Sequence, residues 1–297
     1  MTLKELLNEI SKISNNVDLE INLLTQYLEY LDNLNKYLNC NGGVVKLDLG
    51  RPAIVFGDIH GDYTTFIKFL DKINVIEFLE SGGILIFLGD YIDRGPQQIE
   101  SINMVYKLQL EYPNQVIALR GNHEPPEWLM PYPHDFPSHL RWRFSNEWIK
   151  IYRLFMKAFQ LMPHVAYSEG SYFFVHGGVP TNALYIDELR NPSNKVLEDL
   201  LWNDPIDEEG IAPSWRGAGH FFGIDITKRF LQANNLKIVI RGHEPCNGYQ
   251  LRQGGLVLTL FSRLGEPYYN LTASTVKIKN LKSYSGVGDL EFISISI

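Results

Sequence analysis

Cysteine is nearly absent: the 297-residue chain has two, Cys40 and Cys246, which excludes a disulfide framework and reads both as free thiols. Long apolar runs are missing too. The run at residues 84–88 is far too short to span a bilayer, and the first residues lack a basic segment leading into an apolar core and a small-residue cleavage site. Positive charge is in deficit, with 27 Lys and Arg against 34 Asp and Glu and a formal net charge of −7. A broad basic face, the footprint of nucleic-acid or anionic-membrane binding, is therefore not expected. There is no internal repeat and no linker long enough to force a domain boundary. These absences predict a soluble, cytoplasmic protein with neither nucleic acid nor membrane among its partners, in which any anionic substrate is held locally.

What is present suits a large packed core, with 45% hydrophobic and 12% aromatic residues. Up to Leu38, Leu3, Leu6, Leu7, Ile10, Leu24, Tyr27, Leu28 and Leu31 recur mostly at spacings of three and four, which predicts two amphipathic helices broken at Ser14-Asn15-Asn16. After Gly42-Gly43 the pattern changes to short apolar runs, at residues 53–56, 84–88, 116–119, 172–175, 237–240 and 256–261, read as strands. Helix-length stretches at 63–73 and 97–110 separate the first three and predict βαβ units. The later strands come after longer gaps, and residues 271–297 are strand-like, so a mixed sheet, or two sheets packed face to face, fits better than one parallel sheet. The chain is read as one catalytic domain, with residues 1–42 a helical segment packed on it, 43–270 the core and 271–297 terminal strands.

Five blocks concentrate polar residues beside glycine: GDIHGD at 57–62, GDYIDRG at 89–95, RGNHE at 120–124, HGG at 176–178 and RGHE at 241–244. Each follows an apolar run, so side chains delivered from strand ends can converge on one crevice. Asp58 and His60 are separated by one residue and on an extended segment would point the same way, as two ligands for one ion. Asp90 carries two oxygens with which to bridge two cations. Asn122, His123, His176 and His243 add oxygen and imidazole donors without thiolate, a set that suits manganese, iron or zinc better than calcium or magnesium and does not select among the first three. Two such ions about 3.5 to 4 Å apart can clamp a phosphoryl group and lower the pKa of a shared water toward about 7. Arg94 and Arg216 offer planar charged forks for phosphate oxygens. His123 can protonate the leaving oxygen, with Asp93 holding its ring. His134, His139, His164 and His220 receive no ligand role. The stretch 125–137 holds five of the fifteen prolines and, starting just after RGNHE, should sit beside the site.

The ordered blocks resemble the phosphoprotein phosphatase family of metal-dependent serine/threonine phosphatases, over residues 47–261. That resemblance implies an α/β fold: a metallophosphoesterase-type β-sandwich of mixed sheets flanked by helices in four layers. It implies one metal on Asp58, His60 and Asp90 and a second on Asp90, Asn122, His176 and His243. Arg94, Arg216 and Asn122 would face phosphate, and His123 with Asp93 would supply the proton. The cofactors implied are two divalent or trivalent ions, manganese first, and the substrates phosphorylated proteins or peptides; regulatory subunits are left open. Residues 200–205 and Trp215-Arg216-Gly217 also look like the family's segment around the second arginine. Two stretches depart from its eukaryotic members: Pro125-Pro126-Glu127-Trp128 after GNHE, and residues 262–269, where neither Tyr268 nor Tyr269 can be matched to the loop tyrosine. A dinucleoside polyphosphate hydrolase and a catalytically silent phosphoprotein-binding scaffold are the competing readings. The intact Asp93-Arg94 pair and RGHE favour the phosphatase over the first, and the complete donor set counts against the second.

Overall fold

In the computed structural model, which describes residues 1–47 and 50–297, the apolar runs become strands that stop where the polar blocks begin. Strands Ala53–Phe56, Ile84–Phe87 and Val116–Ala118 run parallel. Helices Tyr63–Lys72 and Gln98–Glu111 join them as crossovers. On the other edge of Ala53–Phe56, strand Thr272–Ile278 pairs antiparallel and carries Leu290–Ser296, completing a five-stranded sheet. A seven-stranded sheet follows the order Cys40–Asn41, Val44–Lys46, Val165–Ser168, Tyr172–Val175, Ile238–Arg241, Val257–Leu260, Tyr249–Arg252. A small sheet of Asp204–Pro205, His220–Phe222 and Ile211–Pro213 stands apart.

Side-chain alternation explains how the two large sheets pack. Along the seven-stranded sheet, Tyr172, Phe174, Ile240, Leu258 and Leu260 enter one apolar cluster together with Val55, Ile86 and Val276 of the other sheet. The intervening Phe173, Val175, Val239 and Val257 point the opposite way, toward Val196, Leu200, Ile226 and Phe230, which lie on helices Asn194–Trp202 and Ile224–Ala233. Period-two strands with both faces covered give a sandwich with helices outside, the four-layer arrangement expected. Its sheets meet at the functional end, where Asp58 bridges to Phe261 in parallel. The Ser262 N–H donates to the Asp58 carbonyl at 3.1 Å.

The sequence pattern missed other elements. Helix Phe136–Phe144 starts within the proline-rich stretch, its Pro137 lying in the first turn where a missing N–H costs nothing. Helix Trp148–Leu161 packs on Val17–Asp32, the second of two N-terminal helices, the first being Leu3–Ile13. Among the described residues no helix is long and apolar enough to cross a membrane.

Glu20 sits on the same face of Val17–Asp32 as Leu24 and Tyr27, and so is buried with them. Asn103 Nδ2 donates to its carboxylate at 2.7 Å, but burial outweighs that bond and pushes its pKa up to about 8. The folded chain thus keeps a proton that the unfolded chain releases near 4.5, and stability is lost as pH rises through about 8. Glu20→Gln should flatten this dependence, gaining on the order of a few kcal/mol over the native chain at pH 9 and little at pH 5 in urea denaturation. Equal slopes for the two proteins would show that the carboxyl ionises freely.

Candidate metal centre and proton-donor site

The blocks converge at the carboxyl ends of strands from both sheets, around a cleft of about 550 Å³ lined by His60, Asp90, Arg94, Asn122, His123, Arg216, His243 and Tyr268 among others. Turn geometry, not extended alternation, aims them. Asp58 keeps a strand-like bridge, yet His60 has φ 44°, so the alternation expected of an extended Asp58-Ile59-His60 does not hold. Asp90 (57°), Asp93 (63°), Arg94 (73°) and His243 (70°) share this left-handed region, which is disfavoured for non-glycine residues and concentrates at functional sites. Glycines supply the room. A Cβ on Gly121 would strike Asp90 Oδ1 and one on Gly242 would strike Asp58 Oδ1.

Asp90, 1% exposed, is the centre of the group. Its carboxylate lies 3.2 Å from His60 Nε2 and 3.3 Å from His176 Nε2, and accepts from the His123 N–H at 2.9 Å. His60 Nδ1 and His176 Nδ1 face the carbonyls of Ile92 and Leu88 at 2.7 and 3.0 Å. Carbonyls accept only, so each Nδ1 carries the proton and each Nε2 lone pair points inward, as for imidazoles that bind metals. Asn122 Oδ1 lies 2.8 Å from His176 Nε2 and 2.9 Å from His243 Nδ1. Asp58 Oδ2 is 3.8 Å from His60 Nε2, and Asp58 Oδ1 accepts from the His243 N–H at 2.9 Å.

Ligand atoms of His60, Asp90 and His123, and again of Asp90, His176 and His243, lie within 4.8 Å of one another, so each trio could hold a cation with Asp90 common to both. The residues fit such ions. Asp58 Oδ2 is buried with no hydrogen-bond partner among the described residues, a costly state unless something binds it, and His243 brings Nδ1 to the same Asn122 oxygen as His176 Nε2. Burial and the neighbouring Asp90 charge raise the Asp58 pKa. Burial acts on Asp90 in the same direction, but the imidazoles of His176, His123 and His60 outweigh it and draw Asp90 well down.

Beside the centre, His123 Nδ1 lies 2.6 Å from Asp93 Oδ2. Its Nε2 is 3.5 Å from Arg94 Nη2, while Arg94 Nη1 donates to the Pro133 carbonyl at 3.0 Å. Burial lowers the His123 pKa, against the pull of Asp90 and Asp93. Arg216 Nε donates to Asp204 Oδ2 at 2.6 Å, anchoring that guanidinium at the cleft wall. Of the residues expected in the site, His60, Asp90, Arg94, Asn122, His123, Arg216 and His243 line the cleft, and Asp58, Asp93 and His176 stand behind them against His243, His123 and Asp90. Tyr268 also lines the cleft, 5.8 Å from the His60 ring, whereas Tyr269 is 70% exposed. Buried Arg263, a departure from the expected loop sequence, carries Tyr268 from beneath: its guanidinium lies 5.1 Å from that ring and donates to the His60 carbonyl at 3.1 Å.

Three residues escaped sequence reasoning although two stand inside the blocks. Glu124 is buried and accepts from the N–H groups of Asp90, Tyr91 and Gly121 at 2.8, 2.8 and 3.0 Å, fixing the Asp90 turn. Arg241 joins strand ends by donating to Asp204, Asn203 and Glu244. His134, in the proline-rich stretch, approaches Asp93 Oδ2 at 2.7 Å. The first two were signalled by the charged ends of RGNHE and RGHE; His134 gave no signal.

With that geometry, the comparisons identify the family. The calcineurin-like phosphoesterase profile matches residues 51–247. A protein phosphatase 2A catalytic subunit from Dictyostelium discoideum is 33% identical over 229 residues, covering 72% of this chain and 69% of that protein. The chain belongs to the phosphoprotein phosphatase branch of the calcineurin-like phosphoesterases. A protein of Encephalitozoon cuniculi (strain GB-M1) named as a probable serine/threonine-protein phosphatase is 32% identical over 267 residues, 87% of this chain. The chain spans only 56% of that relative's length. A solved serine/threonine phosphatase from Saccharomyces cerevisiae superposes with a TM-score of 0.72, covering 100% of this chain and 90% of its own, at 23% identity. That likeness concerns the fold.

Glu124→Gln should be costly, because an amide cannot accept on both sides and leaves a buried N–H facing its own NH₂. A loss of about 3 kcal/mol in chemical denaturation is expected. A loss below about 0.5 kcal/mol, the range of ordinary surface substitutions, would show that the Asp90 turn holds without this carboxylate.

Proposed function

We propose that the protein is a metal-dependent serine/threonine protein phosphatase acting on phosphorylated proteins or peptides. The observation that carries this reading is the convergence, around one cleft, of the six donors Asp58, His60, Asp90, Asn122, His176 and His243 with the Arg94 and Arg216 guanidiniums and the His123–Asp93 pair. Asp58, His60 and Asp90 would hold one ion, and Asp90, Asn122, His176 and His243 the other. Manganese is the first choice, with iron or zinc compatible with the same oxygen and imidazole donors. When bound, the ions supply charge neutralisation at phosphate and activation of water.

The chain's own groups do the rest. Arg216, tied through Nε to Asp204, presents its remaining N–H groups to a phosphate oxygen; Arg94 Nη2 does the same, with Asn122 facing the phosphate. His123 keeps Nδ1 on Asp93 and directs Nε2 into the cleft, where it delivers a proton to the leaving oxygen. Tyr132, 95% exposed, and Met130, 42% exposed, stand at the rim, an apolar border suited to a polypeptide more than to a dinucleotide. Residues 1–297 are read as one catalytic unit working in the cytoplasm.

The manganese-loaded protein is expected to release phosphate from phosphoserine and phosphothreonine peptides and to lose that activity on chelation. Arg94→Ala should lower kcat/KM by about 100-fold with metal content unchanged. Efficient cleavage of diadenosine tetraphosphate with phosphopeptides untouched would replace this reading by a dinucleoside polyphosphate hydrolase.

A further inference from the structure

Asp93 holds more than one histidine. Its Oδ2 lies 2.6 Å from His123 Nδ1 and 2.7 Å from His134 Nδ1, and its Oδ1 accepts from the N–H groups of Asp135 and Phe136 at 2.9 and 2.8 Å. The carboxylate is fully buried, so all of its hydrogen bonding comes from these donors. Three of the four come from consecutive residues, His134, Asp135 and Phe136, where the proline-rich stretch meets helix Phe136–Phe144. On its far side His134 Nε2 meets the Tyr152 hydroxyl at 3.0 Å. With Nδ1–H donated to Asp93, that Nε2 accepts from Tyr152, which fixes the ring's tautomer and plane.

We propose that His134 is a positioning residue for the proton donor: from the proline-rich stretch it clamps Asp93, and so sets the direction in which His123 presents Nε2 to the leaving oxygen. This rests on the phosphatase reading for the role of His123. The prolines now have a purpose, because a stretch carrying five of them in residues 125–137 restricts the backbone that must hold His134 and the Asp135 and Phe136 amides on one carboxylate. Tyr152 extends the clamp to helix Trp148–Leu161, tying the donor's orientation to the layer of helices outside the sheet.

A group that only orients a proton donor matters when the leaving oxygen needs a proton. His134→Phe is therefore expected to lower kcat on a phosphoserine peptide by about 10-fold or more while changing kcat on p-nitrophenyl phosphate, whose leaving group departs unprotonated, less than about 2-fold. KM should stay unchanged on both. His134→Asn, whose amide can still donate to Asp93, should recover most of the lost rate. In the proton NMR spectrum of the zinc-loaded native protein, which avoids paramagnetic broadening, two low-field imidazole N–H resonances should belong to the histidines on Asp93, besides those of His60 and His176; His134→Phe should lose one of the two and displace the other, whether or not phosphopeptides are cleaved. Equal losses on both substrates without rescue by Asn, or an unmoved second resonance, would reduce His134 to a packing residue. Failure of the native protein on phosphopeptides, with the two resonances behaving as described, would overturn the phosphatase reading and leave the clamp standing.

Discussion

Burying the Asp58 and Asp90 carboxylates in one cluster with the imidazoles of His60, His176 and His243 is unfavourable unless opposite charge compensates. The fold makes that enclosure unavoidable. Parallel strands from two sheets end at the same place, the Asp58–Phe261 bridge joins them there, and Glu124 holds the Asp90 turn by three backbone N–H groups. Among the described residues Asp58 Oδ2 is left without a partner, while His60 and His176 spend their Nδ1 protons on carbonyls and turn their lone pairs inward. A rigid frame aimed at an oxygen-and-imidazole cage explains why five site residues accept left-handed backbone without being glycine.

Chemistry and specificity occupy different parts of the chain. The strand ends contribute the donors and Arg94, and the turn before His220–Phe222 contributes Arg216. The walls of the cleft, by contrast, come from the proline-rich stretch, with Met130 and Tyr132 at the rim, and from the late loop, where Arg263 supports Tyr268. These are the two places where the sequence departs from the eukaryotic members of its family. The departures leave the donors untouched and rebuild what surrounds them.

How much could be read from residues alone follows the same division. Metal chemistry demands particular side chains beside glycine after apolar runs, so the blocks, the strands feeding them and the mixed double-sheet fold were legible. The geometry of His60 was not, since the expected extended alternation gives way to a turn with φ 44°. His134 was passed over because only the tertiary path of residues 125–137 brings it to Asp93, 41 positions earlier. The burial of Glu20 escaped notice because a lone carboxylate at an apolar-face position reads as a surface residue until the opposing Asn103 is in place.

The central claim is that this cavity is built for two cations sharing Asp90. Anomalous diffraction at the manganese edge, from crystals grown with manganese, tests it most directly. Two peaks are expected inside the cavity, one on either side of the Asp90 carboxylate, the first reached by Asp58 and His60 and the second by Asn122, His176 and His243. A cavity without peaks, or a single ion out of reach of Asp90, would contradict it.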